Sequence, residues 1–477
     1  MKRKSNNRFK LEIILSLICV WIPLLLIIVP QAISATETQR RIEEEARKEL
    51  EPTELKTSED KRGLVFDYGG WINLRYLDYD EDDNHSLTPD TIDYTSFVDL
   101  RFWLKATLKP PLEATYENEH SLYLRLKDLY LESRPVTTAG GCDHDGPDLD
   151  YAYLIFDLRP SWLKIGRRYF SVGQGIAYSN VNDGIELDLN FTNWGLKAFV
   201  SHTLPNEDNI DMSVPGYEKE SDRYYYGLEY SYLGLPEQSL YTYALIQRDY
   251  SNEIPGNPAH DYTYDSEYLG LGVQGKIKSI FPYWIELIRQ TGESLIYNTN
   301  QKKDIDAWGG LAGIACQLDT YMHPSITFEY AFGSGDKDRI SVTNTQNGNT
   351  FGSDKNFLYF GYIPTGYALA PRLSNLHLYR LGLKLNPLEK INLFKDFVFG
   401  IDYYRYYKDK SRGGIYDPEA SQNNEDIGSE IDINATWQIF SDLRCTIQYG
   451  HFMPTDAYSD TSDDSEDYFS VSLVITF

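Results

Sequence analysis

Apolar and polar residues alternate without a break through Phe469 to Phe477 (FSVSLVITF). Side chains along an extended strand have a period of two, so Phe469, Val471, Leu473, Ile475 and Phe477 share one face while Ser470, Ser472, Val474 and Thr476 share the other. An apolar face opposite small or hydroxylated residues suits a strand lying between lipid and a wet interior. The same phase recurs at Val98, Leu100, Phe102, Leu104 and Ala106, at Ile326, Phe328, Tyr330 and Phe332, and at Ile431, Ile433, Ala435, Trp437 and Ile439. Between these lie the polar partners Asp99, Arg101 and Lys105, then Glu329, then Glu430, Asp432, Asn434 and Thr436.

Eighteen runs of strand character follow from Leu64 onward, starting with 64–76, 94–108 and 121–133 and finishing with 429–440, 443–453 and 468–477. Their connectors alternate in length. Arg159 with Pro160, Thr192, Lys278 to Phe281, and Ser441 with Asp442 are short, whereas Leu77 to Asp93, Leu204 to Asp222, Ser334 to Asn375 and Pro454 to Asp467 are long. The pattern predicts an all-β fold, a transmembrane up-and-down antiparallel barrel of about 18 strands with short periplasmic turns, long external loops and both termini periplasmic.

The N-terminal segment fits export to such a location. Lys2, Arg3, Lys4, Arg8 and Lys10 precede an apolar run from Leu11 to Val29 and a small-residue exit at Ser34 and Ala35, which reads as a signal peptide over residues 1–35. An uncleaved membrane helix fits less well, because Pro23 interrupts the run and no second run is long enough to span. Residues 36–62 are charged and lack aromatics, with a thin apolar stripe of Ile42, Ala46 and Leu50, and are expected to be a solvated periplasmic tail. Residues 63–477 are expected to form the barrel.

Composition sharpens this picture in two ways. The 39 Tyr, 21 Phe and 8 Trp suit the aromatic girdles of a barrel, which hides its apolar content because only alternate residues face lipid. A formal net charge of −26 excludes a general nucleic-acid binder. Cys142, Cys316 and Cys445 form no disulfide framework, the histidines are scattered, and no haem-attachment motif is present, so no cofactor is expected. Acid is concentrated in the loops, at Asp80, Glu81, Asp82 and Asp83 and again at Asp460, Asp463, Asp464 and Glu466. These external loops are where calcium, or divalent bridges to lipopolysaccharide, would be sought.

A barrel of this size encloses a channel wide enough for water unless loops fill it. The inward phase carries Arg101, Lys105, Arg125, Lys127, Lys164, Arg168, Lys197, Lys384 and Arg444. Basic rings attract anions. A basic lumen beneath acidic loops is therefore expected to draw an anionic solute from the periplasm. The competing expectation is that these cations are neutralised by acids on neighbouring strands.

Three segments carry a more specific resemblance. IGRRYFSVGQG (Ile165 to Gly175) with NDGIELD (Asn182 to Asp188), then FEYAFGSGD (Phe328 to Asp336) with ALAPRLSNLHLYRLGLKLNP (Ala368 to Pro387), then GSEIDINATWQIFSDLRCTIQYGHFMPTDAY (Gly428 to Tyr458) are similar in order and spacing to the alginate export porin family. The resemblance implies an outer-membrane barrel with an arginine-rich constriction that conducts an acidic exopolysaccharide, with no catalytic activity. On matching positions it implies pore-lining or substrate-contacting places for Arg167, Arg168, Asp183, Glu430 and Asp432, with Arg372 beside the LSN of the second segment. The strongly acidic total and the short turn at Ser441 and Asp442 depart from the family pattern. The implied partners are the outer membrane, an anionic polysaccharide or other anionic solute, and a periplasmic export scaffold. Two other readings are a barrel hydrolase, for which no Ser, His and Asp grouping stands out, and a structural barrel plugged by residues 334–375.

Overall fold

The computed structural model describes residues 63–80, 94–110, 118–134, 141–204, 222–250, 264–296, 301–339, 349 and 351–477. The expected signal peptide, the charged tail and most of the first acidic loop lie outside the described residues. One antiparallel sheet contains β1 (Gly63–Asp80), β2 (Tyr94–Lys109), β3 (His120–Arg134), β4 (Gly141–Leu158), β5 (Ser161–Ser171) and β6 (Ser179–Asn190). It continues through β7 (Trp194–His202), β8 (Arg223–Leu235), β9 (Gln238–Asp249), β10 (Asp265–Ile277), β11 (Phe281–Leu295) and β12 (Lys302–Gln317). The circuit is completed by β13 (Ser325–Gly333), β14 (Leu376–Leu385), β15 (Phe397–Lys408), β16 (Asp426–Phe440), β17 (Leu443–Pro454) and β18 (Glu466–Thr476).

Each strand pairs with the next in sequence, and β18 pairs back onto β1, so the 18-stranded sheet is closed. At the seam, the amides of Gly70 and Phe477 each donate to the other's carbonyl at 3.0 Å. A Cβ on Gly70 would lie 2.7 Å from the Phe477 ring, so only glycine admits that side chain there. The strands coincide with the eighteen expected runs, although β4 and β6 begin earlier than expected, at Gly141 and Ser179.

The period of two sorts residues between the faces as expected. On β10, Leu269 and Leu271 are each 63% exposed on the outside, while Tyr268, in the alternate inward phase, is 2% exposed. The outer skin is aliphatic and aromatic through the middle of the barrel, which is the surface lipid requires. Closure leaves no unpaired sheet edge inside the membrane.

The apolar core lies inside the barrel. It is made by inward side chains such as Phe199, Tyr225, Tyr243 and Tyr268 together with two loop segments, residues 172–178 after β5 and residues 351–375 before β14. The two segments join through a parallel bridge between Tyr178 and Phe360. Backbone bonds run from Phe360 N–H to Ala177 O and from Tyr362 N–H to Gly175 O, each at 3.0 Å. The longest connectors, such as 334–375 and 203–222, gather at one end of the barrel, and the tightest turns, such as 159–160, 236–237 and 441–442, at the other. These are called the long-loop end and the short-turn end.

Candidate channel interior

Buried carboxylates on the wall hold the inner segments in place. Glu430, on β16, is fully buried and accepts the backbone amides of Tyr367, Ala368 and Leu369 at 2.6, 2.7 and 3.1 Å, together with the Tyr406 hydroxyl at 2.9 Å. Glu286, on β11, accepts Gln174 N–H at 2.6 Å and the hydroxyls of Tyr241 and Tyr243 at 2.6 and 2.8 Å. Glu229 accepts Gly173 N–H at 2.9 Å. Further along β11 and on the adjoining β10, the Gln290 side chain accepts Leu358 N–H at 3.1 Å and Tyr268 donates to Leu358 O at 2.7 Å. Glu430 was expected to line a pore, but it is occupied by loop amides. Asp432, one inward position further along β16, is likewise 1% exposed.

Inward guanidinium groups are matched by acids or by neutral acceptors. Asp150, at an irregularity where β3 and β4 shift register, sits between two of them, with Arg101 at 2.9 Å and Arg125 at 2.6 Å. Arg101 also meets Asp99 at 2.9 Å. The Arg125 guanidinium lies 3.8 Å from the Tyr151 ring centroid. Arg168 is paired with Glu186, which Lys164 also contacts at 3.1 Å. Arg380 meets Asp402 at 2.8 Å. Arg75, which sequence reasoning passed over, is inward and buried, and donates to Tyr468, Ser470 and Gln448. The middle of the lumen is thus a mixed-charge network.

Four inward cations without an acid partner lie toward the short-turn end. Lys105, Lys276, Lys384 and Arg444 all occupy inward phases within a few residues of that end of β2, β10, β14 and β17. Among the described residues none of the four has a carboxylate within ion-pair distance, and Arg444 donates to the Gln438 side chain at 3.1 Å. Lys276 had not been singled out from the sequence, although it follows Gln274 in the inward phase.

Arg167 and Asp183 correct the expectation that both line the lumen. They face each other across β5 and β6 and form a two-pronged ion pair at 3.0 and 3.1 Å. Their phase is that of Ile165 and of Ile185, which is 51% exposed on the outside, so the pair points toward the membrane. Arg168 takes the inward direction because neighbours on a strand alternate.

That outward pair belongs to a series at the long-loop end. Arg248 meets Glu267 at 2.6 Å, Arg289 meets Asp306 at 3.0 Å, and Arg405 meets Asp426 at 2.5 Å. Histidines occupy the equivalent places elsewhere: His144 with Asp128 at 2.6 Å, His202 with Asp222 at 2.8 Å, His377 with Asp409 at 3.5 Å, and His451 with Asp467 at 2.8 Å. Aromatic rings accompany them, as where Tyr130 stacks on His144 at 4.2 Å and Arg289 lies over Trp308 at 5.0 Å. Burial pushes the Asp409 carboxyl up, but hydrogen bonds from His377, the Gly335 amide and Lys410 outweigh it and hold it at about 2.

No curated protein matches the sequence. Among solved structures, the barrel is similar to Pseudomonas aeruginosa OccK8 (OprE), with a TM-score of 0.53 at 11% identity over 87% of this chain and 99% of that one. It is similar also to Acinetobacter baumannii OccAB1, with a TM-score of 0.53 at 10% identity over 88% and 99% of the two chains. Pseudomonas aeruginosa OccK7 (OpdD) gives 0.51 at 11% identity over 86% and 98%. At these identities the likeness is one of fold. The alginate export family model matches residues 84–472, most of the chain, and with the closed 18-stranded sheet this makes the protein an outer-membrane, porin-like barrel that belongs to the alginate export family.

Proposed function

We propose that this outer-membrane channel passes an anionic polysaccharide, of the uronate class, from the short-turn end to the long-loop end. The observation that carries the reading is the placement of Lys105, Lys276, Lys384 and Arg444 on inward phases near one mouth without carboxylate partners. Short turns face the periplasm in bacterial barrels of this type, which makes that mouth the receiving one. A polyanion meets exposed ammonium groups there and then a mixed network of guanidinium and carboxylate groups. Each exposed contact is worth about 0.2–1 kcal/mol, weak enough for a chain to slide from one to the next. Family membership supports the polymer as cargo. The inner segments narrow the route, so movement through it includes their displacement.

The test is single-channel recording of the refolded protein in planar bilayers with oligomannuronate added to the short-turn side. Blockade by the oligomer that is reduced when Lys105, Lys276 and Lys384 are all changed to Gln supports the reading. Current unaffected by oligomer in the wild type, or blockade unchanged in the triple variant, refutes it.

A further inference from the structure

The outward ion pairs at the long-loop end define a second interaction surface. Charge on the outside of a barrel costs about 2–4 kcal/mol per Arg or Lys at the middle of the bilayer and about 0–1 near the interface. The pairs lie at one end of strands distributed from β3 to β18, so they encircle most of the barrel at one level. They are half-open to the outside: the side chains of Arg289 and Asp306 are 43% and 46% exposed, against 5% and 3% for Arg125 and Asp150 inside. The short-turn end has a different outer face, with aliphatic and aromatic residues such as Leu64, Phe66 and Tyr68, each more than half exposed. The two rims are built for two different leaflets.

From this we infer that the belt docks the phosphorylated glycolipid headgroups of the outer leaflet. The chemistry is complementary on both sides. Guanidinium groups donate to phosphate oxygens in a two-pronged geometry, and the partner carboxylates supply oxygen ligands of the kind that take up the divalent cations bridging such phosphates. Before lipid binds, each pair satisfies itself, so the charges are not stranded at the edge of the hydrocarbon. Tyrosine and tryptophan beside the pairs suit the headgroup level. Sequence reasoning sought such contacts in the acidic loops, whereas the strand ends carry cation and carboxylate together.

The experiment uses the full refolded barrel in neutral detergent with magnesium. Retained glycolipid is counted by native mass spectrometry for bis-phosphorylated lipid A, for the same lipid with its phosphates removed, and for phosphatidylglycerol. Lipid A is expected to be retained about tenfold better than the other two. A variant with Arg248, Arg289 and Arg405 all changed to Gln, its folding checked by single-channel conductance, is expected to lose most of that preference. Equal retention of the three lipids overturns the inference, as does stabilisation by inorganic phosphate alone or an unchanged preference in a folded variant. The lipid comparison needs only the wild type, so it decides the matter even if the variant does not fold.

Discussion

The Glu430 carboxylate receives the Tyr367 amide at 2.6 Å across 63 residues of sequence, so a side chain of the wall fixes the backbone of the inner loop. Three consecutive amides converge on it. Hydrogen bonds to a charged acceptor contribute about 1.5–3 kcal/mol each, although removing one acceptor does not sum them. Changing Glu430 to Ala is therefore expected to raise hydrogen exchange at Tyr367, Ala368 and Leu369 by about tenfold or more while amides in β16 keep their protection. Unchanged exchange would show that the loop holds itself.

The contact between residues 175–179 and 360–362 is made by backbone at close range. A Cβ on Gly361 would stand 1.9 Å from Gly175 O and 2.4 Å from Ile176 O. Changing Gly361 to Ala is expected to part the two segments and to raise single-channel conductance with added flicker, since the barrel wall itself is untouched. A variant conducting like the wild type would place the narrowest part of the route elsewhere.

Asp150 offsets two buried guanidinium groups. Substitution by Asn keeps its shape and removes one negative charge, so the reversal potential in a salt gradient is expected to move toward anion selectivity. Breaking a buried pair costs about 3–5 kcal/mol, so the urea midpoint is expected to fall as well. Absence of the selectivity shift would remove this cluster from the conduction path.

Asp409 gives a pH dependence of known sign. Its folded-state pKa is about 2, below the value of roughly 3.9 for a free aspartate. The stabilisation it contributes is therefore complete above the unfolded value and is lost as pH falls toward 2. Between pH 5 and pH 2 the wild type is expected to lose more stability than Asp409→Asn, measured as the temperature at which the folded band disappears on a gel. Parallel losses would contradict the assignment.

The strand count was legible because each membrane strand repeats one elementary alternation and the connectors alternate in length. Face assignments followed from the same period wherever a run had clear apolar partners. For Arg167 and Asp183 the motif points to the lumen, but Leu163 and Ile165 in the same phase already mark that face as the membrane side. The inner loop had a weaker signal. The run Asn356 to Pro364 (NFLYFGYIP) is too apolar for an exposed connector, and apolar residues in a long loop indicate burial against something. What could not be read was the anchor, since Glu430 meets amides that chain spacing does not bring near. Nor could the pairing of Arg101 and Arg125 on one acid, which depends on a local shift of register between β3 and β4.

The seam between β1 and β18 brings together residues nearly four hundred positions apart, as Arg75 and Ser470 are at 395. Such a contact has the largest loop-closure cost in the molecule and gains nothing from local propensity. Until it forms, the sheet presents two open edges able to recruit strands from other chains. Completion of the cylinder is therefore the slow and hazardous event of its assembly, and any agent that shields those edges or brings them together would govern the yield of functional barrels.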